Sequence, residues 1–206
     1  PKLLLHVGDV VTKNQCASGR LDRCDQALTA AGLSTPDGPF YYLYLLAARG
    51  TQPTMSGLMV GIDYESRAAG DVNNGTGVDV FSWTLCATAE YIRATTNTWP
   101  EPGGSNIIVW NYIDDCQTSE IAVAGYFYTG VYSPDRFRLT PDELSNDVQV
   151  SNCDLQGFDL AAKDLGYVEF SDGAKARGCN PCLVDCSGAV TVAPTTWSRI
   201  KTLIGK

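Results

Sequence analysis

Cysteines and a single histidine carry the most reactive side chains of this 206-residue chain, which has eight of the first and one of the second. The cysteines stand at Cys16, Cys24, Cys86, Cys116, Cys153, Cys179, Cys182 and Cys186, an even number spread along the whole sequence. That pattern fits structural disulfides in an oxidising compartment better than buried thiols in a reducing one. Cys16 and Cys24 flank a short polar loop and are expected to pair. Cys86 and Cys116 follow two apolar runs and are expected to pair as well. The last four cysteines allow three pairings. Cys153–Cys182 with Cys179–Cys186 is favoured, because it ties the late strands to the tail and closes one small loop. Cys179-Asn180-Pro181-Cys182 is also a CxxC, a spacing shared by redox dithiols and zinc sites. A redox pair would need a βαβ setting. Zinc would need a second ligand pair, for which only Cys153 lies in the vicinity.

Other side chains offer weaker chemistry. His6 falls in an apolar run and reads as an edge or surface imidazole. The sequence has no GxSxG, HExxH or P-loop to supply it with a nucleophile, a metal or a phosphate. In residues 71–79 (DVNNGTGVD), Asp71, Asn73, Gly75 and Asp79 alternate as in a calcium loop, but position 82 holds a serine where an EF-hand closes with a bidentate glutamate. The competing reading is a hairpin loop whose Asn and Gly tolerate positive φ. Asn74-Gly75-Thr76 is a glycosylation sequon. Trp99, Trp110, Tyr112, Tyr126, Tyr128 and Tyr132 could stack on sugar rings or fill a core, with Phe127 alternating inward against Tyr126 and Tyr128. Asp114 with Asp115, or Glu101 with Glu120, has the side chains of a glycosidase pair, but acids are common in this chain and nothing in the spacing sets two across a cleft.

Composition narrows the classes. Charged residues make up 18% and hydrophobic residues 44%, so disorder is not expected. No apolar run is long enough to span a membrane. A net charge of −8 argues against nucleic acid as a partner. The sequence begins at Pro1 rather than Met, which fits removal of a signal peptide. Export is therefore expected, to the extracellular space or the cell surface.

The elements that must position these residues are strands. Apolar residues recur at period two in residues 2–12, 40–48, 55–64, 78–86, 89–95, 107–112, 121–132, 137–140, 148–151 and 167–171. In residues 78–86 the alternation sets Val78, Val80 and Ser82 on one face and Asp79, Phe81 and Trp83 on the other. Gly, Pro, Asn and Asp clusters separate the runs. The spacing predicts an all-β antiparallel sandwich stapled by disulfides. Helix is scarce. Residues 21–31 fit about two turns and residues 141–144 one turn, capped by Thr140 with Pro141 at its first position. A short C-terminal helix places Trp197, Ile200 and Ile204 on one face. The organisation expected is a sandwich over residues 1–192 and an amphipathic segment over 193–206.

The segments SGLMVGIDYE, GVDVFSWTLC, IIVWN and VAGYFYTGVYS, in this order between residues 56 and 133, resemble cohesin-like β-sandwiches. Over nearly the whole chain the sequence resembles uncharacterised secreted proteins of uncultured bacteria. These share the opening strand with an early cysteine pair, a GVDVFSWTLC-like strand, an AGYFY-like strand and an ending like PTTWSRIKTL. The resemblance implies a sandwich of cohesin-like or jelly-roll-like kind and an extracellular setting, and no reaction.

These readings converge on a non-enzymatic extracellular subunit that assembles with copies of itself into a filament, tube or layer. Leu3, Leu4, Leu5 and Val7 in the apolar opening strand, and Trp197, Ile200 and Ile204 at the other end, are its expected subunit contacts. The alternative is a secreted carbohydrate-binding or cohesin-like adhesion module with an extracellular glycan as partner. No cofactor is expected beyond calcium at the loop containing Asp71 and Asp79.

Overall fold

Runs of β-branched and aromatic residues favour extended backbone, and here they pair into two facing sheets. The computed structural model describes residues 1–10, 16–33, 38–64, 75–93, 97–172 and 177–187. Its strands are β1 (Lys2–Asp9), β2 (Ala30–Ala31), β3 (Phe40–Ala48), β4 (Gly57–Asp63), β5 (Val78–Leu85), β6 (Ala89–Arg93), β7 (Ser105–Val109), β8 (Ile121–Val131), β9 (Asp135–Thr140), β10 (Gln149–Ser151), β11 (Gly157–Asp159) and β12 (Tyr167–Phe170). One sheet runs β1-β3-β8-β5. In the other, β4 has β7 and then β6 on one side. On its other side β10 and β9 follow each other, leading out to β11 and to β12-β2. The ladders are antiparallel apart from the short β12–β2 pair. The protein is thus an all-β antiparallel sandwich carrying four disulfides.

The main core lies between the sheets. Leu3, Leu5, Leu43, Leu45 and Phe127 from the first meet Val60, Ile62, Ile108, Phe137 and Val168 from the second. A second core lies on the outer face of the four-stranded sheet. There Leu4, Tyr42, Tyr44, Leu46, Ile121 and Tyr126 are covered by the strap of residues 16–28, which contributes Cys24 and Ala27.

This second core corrects the expected role of the opening strand. Leu3, Leu4 and Leu5 are fully buried and Val7 nearly so, all within this chain rather than against a neighbour. The outer edge of β1 is occupied too. Leu3 O accepts the Gly166 N–H at 2.8 Å, and the Val7 N–H donates to Leu28 O at 2.9 Å. A strand apolar on both faces needs cover on both, and the strap supplies the second cover.

The helical expectations are also corrected. Residues 21–31 form only a 3-10 turn, Cys24–Gln26, and then an extended segment ending in β2. Residues 141–144 form a turn around Asp142, whose carboxylate accepts the Ser145 N–H and hydroxyl, each at 2.9 Å. Local side-chain bonding competes with helix at such acids. The C-terminal helix with Trp197, Ile200 and Ile204 lies outside the described residues.

Three of the expected disulfides are replaced. Cys16 bonds to Cys86, Cys24 to Cys182 and Cys116 to Cys153, while Cys179 bonds to Cys186. The strap runs through turns between Cys16 and Cys24, and each end is bonded to a different part of the fold, Cys16 to Cys86 just after β5 and Cys24 to Cys182 in the segment after β12. Cys116 is carried to β4 by the Met55–Gln117 bridge. Cys153 arrives there as well, its N–H donating to Thr54 Oγ1 at 3.1 Å. Cys182 of the CxxC is taken by Cys24 and Cys179 by Cys186, so the motif holds no dithiol.

Candidate aromatic binding face

The outer face of the four-stranded sheet is built from alternate residues of its strands: Leu4 and His6 on β1, Phe40, Tyr42 and Tyr44 on β3, and Tyr126 and Tyr128 on β8. Phe81 joins them from β5, at an irregularity in the ladder. The register between β5 and β8 shifts between Val80 and Ser82. A one-residue slip moves every later side chain to the other face. Trp83 therefore turns inward with Val78 and Val80 and packs on Phe127 at 4.6 Å between ring centroids. Phe81 and Ser82 are left outside. Strict alternation over residues 78–86 misses this.

The strap divides the face. Beneath it, His6 and Tyr44 stack with centroids 5.9 Å apart. Gly19 lies directly on the Tyr44 ring, where any Cβ would overlap it. His6 is buried rather than at an edge, and its Nδ1 accepts the Leu28 N–H at 3.0 Å. Burial lowers its pKa, and a ring nitrogen that accepts must be unprotonated. Burial pushes the Tyr44 phenol up to about 12, with Tyr42 and Tyr126 adding to the shift. These groups stay neutral near pH 7 and serve the fold.

Beyond the strap the face opens. Phe81 is 40% exposed and Tyr132 is 42% exposed. Phe81 lies 5.5 Å from Tyr128 and 6.1 Å from Phe40, and Phe40 lies 5.9 Å from Tyr128, all between ring centroids. Gly130 forms the floor. A Cβ there would come within 2.9 Å of the Phe81 ring and 3.0 Å of the Tyr132 ring, so both rings lie low over the sheet. The result is a shallow patch of four rings with two phenol hydroxyls.

Of the aromatics expected to form a sugar platform, Trp99, Trp110 and Tyr126 are buried. Tyr112 is exposed on the β7–β8 connection, away from the patch, while Tyr128 and Tyr132 belong to it. Phe40 and Phe81 were not among those expected. At the other end of the same face a polar groove of about 570 Å³ runs between the Cys16–Cys86 bridge and residues Arg20, Asp22, Asp115, Gln117 and Glu120. Two of its acids are engaged in loop geometry: Glu120 accepts the Cys24 N–H at 2.9 Å, and Asp115 accepts from Gln117 Nε2 at 2.7 Å. Asp114 accepts from Asn111 and Glu101 from the Thr98 N–H, each at 3.0 Å.

The loop considered for calcium is described only in part, since Asp71, Asn73 and the sequon residue Asn74 lie outside the described residues. Gly75 donates its N–H to Asp79 Oδ2 at 2.9 Å, and Gly75 and Gly77 both have positive φ. These are features of a tight loop. Among the described residues no group of three or more His, Cys, Asp or Glu side chains is placed to hold a metal. Among them, too, no helix is long and apolar enough to cross a membrane.

No protein-family model and no curated protein matches the chain. Its structural neighbours include cohesin domains. One is the sixth cohesin of scaffoldin B from Acetivibrio cellulolyticus, solved in complex with a dockerin. It has a TM-score of 0.41 and 9% identity, over 84% of this chain and 100% of that one. Another is the cohesin of a cohesin–dockerin complex from Clostridium thermocellum, with a TM-score of 0.42 and 7% identity, over 70% of this chain and 90% of that one. The likeness is one of fold, and it carries no partner across.

Proposed function

We propose that the protein is a secreted, non-enzymatic adhesion module that binds extracellular glycan on the patch of Phe40, Phe81, Tyr128 and Tyr132. The observation that carries this reading is the half-open cluster of rings over Gly130, left uncovered beside the part of the face that the strap seals. Aromatic rings offer a flat apolar surface to the C–H faces of a sugar, and phenol hydroxyls bond its rim. Rings on a rigid sheet lose little freedom on binding. The four disulfides support an oxidising, extracellular setting. The test is a glycan array followed by titration of the best oligosaccharide, watched by tyrosine and tryptophan fluorescence. Phe81→Ala with Tyr132→Ala should weaken binding at least tenfold and leave the melting temperature within a few degrees. Binding that is indifferent to both substitutions would remove this site from consideration.

A second reading, assembly with further copies, rests on β6. It is the outer strand of its sheet and exposes Tyr91, at 62%, with Ile92 beside it. An uncovered apolar edge can accept another strand. Ordered polymers of native material under negative stain, lost on Tyr91→Lys, would favour it over the adhesion module.

A further inference from the structure

Two loops are joined by the Cys116–Cys153 bridge at the end of the sandwich where β8 begins, remote from the ring patch at the end where β8 finishes. The first, residues 110–117, is fixed from within. Asn111 Oδ1 accepts the Ile113 N–H at 2.9 Å, Asn111 O accepts the Asp115 N–H at 2.8 Å, and the Asn111 N–H donates to Thr88 Oγ1 at 2.9 Å. The second, residues 152–156, winds around buried Asn152, whose Oδ1 accepts the N–H of Asp154 at 3.0 Å and that of Gln156 at 2.9 Å. Together the loops hold Tyr112, Ile113 and Leu155 out to water, Ile113 at 71% and Leu155 at 66% exposure. Leu155 keeps a φ of 62°, a left-handed backbone that a bulky side chain adopts only at a cost. Side chains fixed this firmly lose little entropy when they are covered.

The same loops carry Asp114, Asp115 and Asp154 and contain no lysine or arginine. Asp114 accepts from Asn111 Nδ2, and Asp115 from Thr88 Oγ1 and Gln117 Nε2, all neutral donors. None of these three acids is in an ion pair among the described residues. A surface apolar at its tips and negative around them suits an occupant that is apolar and basic. The chain contains such a segment in residues 195–206 (TTWSRIKTLIGK), which lie outside the described residues. Trp197, Ile200 and Ile204 recur there at helical spacing. Arg199, Lys201 and Lys206 accompany them, and the segment holds no acid.

Reach permits the contact within one molecule. The last described residue, Ser187, follows Cys186, which lines the same groove as Val148. From Val148 the chain passes through β10 to Cys153, a path of about 17 Å at the rise of a strand. Residues 188–194 can span about 23 Å when extended.

We propose that residues 195–206 dock on this end of their own sandwich. Trp197, Ile200 and Ile204 cover Tyr112, Ile113 and Leu155, while Arg199 and Lys201 face Asp114, Asp115 and Asp154. A tether this short holds the segment at an effective concentration on the order of millimolar, so modest contacts suffice and the same segment of another copy competes poorly. The contact leaves the ring patch open and does not depend on the glycan reading.

The test is limited trypsin digestion of the full chain, read by mass spectrometry as the rate of cleavage after Arg199 and Lys201. The reference is a synthetic peptide of residues 188–206 under the same conditions. Cleavage in the protein should be at least tenfold slower than in the peptide, and equally so from 1 to 100 μM. Ile113→Asp with Leu155→Asn should bring the rate to within about twofold of the peptide's and leave the melting temperature within a few degrees. Both side chains are exposed, and asparagine tolerates the left-handed backbone. Asp154→Lys, which reverses one charge of the rim, should remove part of the protection. A wild type cut as fast as the peptide overturns the proposal. Protection that survives both variants overturns it by placing the segment elsewhere on the fold. Protection that grows with concentration overturns it by making a second copy the donor of the segment.

Discussion

Removing the Cys24–Cys182 bridge by Cys24→Ala with Cys182→Ala tests whether the strap is an integral part of the fold. The bridge spans 158 residues of sequence. For that span the chain-entropy relation gives about 5 kcal/mol, and the Cys16–Cys86 and Cys116–Cys153 bridges shorten the effective loop enough to bring it to about 4 kcal/mol. What remains to hold the strap is its own packing. Gly19 lies against Tyr44, Ala27 is buried in the second core, and backbone bonds run from Leu28 to His6 Nδ1 and from Cys24 to Glu120. Each such hydrogen bond contributes about 1 kcal/mol net. The variant should therefore fold and lose about 3–4 kcal/mol in urea unfolding, with a somewhat steeper slope as the released unfolded chain exposes more surface. Trypsin cleavage at Arg20 and Arg23 should rise only in step with global unfolding. A loss below about 1 kcal/mol would refute the reasoning from loop closure. Cleavage of the strap in a protein that otherwise keeps its stability would refute the view that strap and sheet form one cooperative core.

The other expectations are simpler. Peptide mapping without reduction should recover Cys16–Cys86, Cys24–Cys182, Cys116–Cys153 and Cys179–Cys186 linkages, and a Cys16–Cys24 peptide would overturn the strap's path. Leu4→Ala and Leu5→Ala should each cost about 2–4 kcal/mol, because β1 is covered on both faces; a small loss at Leu4 would mean the outer core is not packed. His6 has a pKa lowered by burial from 6.5, so its contribution is whole above that value and is lost as pH falls through the lower folded value. The melting temperature should drop over that window in wild type and not in His6→Gln, which keeps an acceptor without a titrating proton. Burial works against the Asp142 carboxylate, but bonds from Ser145 and the nearby Arg93 outweigh it and lower its pKa. The stability it adds is present above the usual carboxylate range and vanishes as pH falls through its folded value. Asp142→Ala should cost about 2–3 kcal/mol at neutral pH in a urea titration.

The strands were legible because period-two patterning is a local property. Residues 40–48 alternate Tyr42, Tyr44 and Leu46 with Tyr41, Leu43 and Leu45, and both sets are buried, as the unbroken apolar run implies. The short β2 and β11 carry no such pattern: Ala30–Ala31 and Gly157–Asp159 are strands only because neighbours offer them hydrogen bonds. Disulfide partners were illegible for a related reason. A pairing depends on which strand ends the topology brings together, and the order β1-β3-β8-β5 is not written in the spacing of the cysteines. Cys179 and Cys186 differ from the rest in that a seven-residue separation leaves little for topology to decide.

The proposed binding face was half legible: phenylalanines were left out of the expected platform, and one bulge hid where Trp83 points. Tyr128 stands in β8 and Tyr132 just past its end, and the alternation is regular past Tyr126, so their outward direction follows from Phe127 pointing in. Phe81 falls on the expected face, opposite Val78 and Val80, but Ser82 and Trp83 exchange faces because the bulge after Val80 is invisible to periodicity. A signal was nevertheless present. Val78, Val80 and Trp83 cannot all face the core under strict alternation, yet all three are large, apolar and close together, and one extra residue between Val80 and Trp83 reconciles them. Phe81 is that residue, and it lies outward beside Phe40 and over Gly130, where the absent side chain leaves it room. The irregularity that spoils the pattern is thus the step that turns Trp83 into the core while leaving Phe81 on the outer face. Deleting Phe81 outright, rather than truncating it to Ala, should restore the regular ladder, keep Trp83 inside and leave the face without its fourth ring. A deletion variant that folds, retains the buried tryptophan fluorescence and still binds oligosaccharide as wild type does would show that the bulge serves the fold alone.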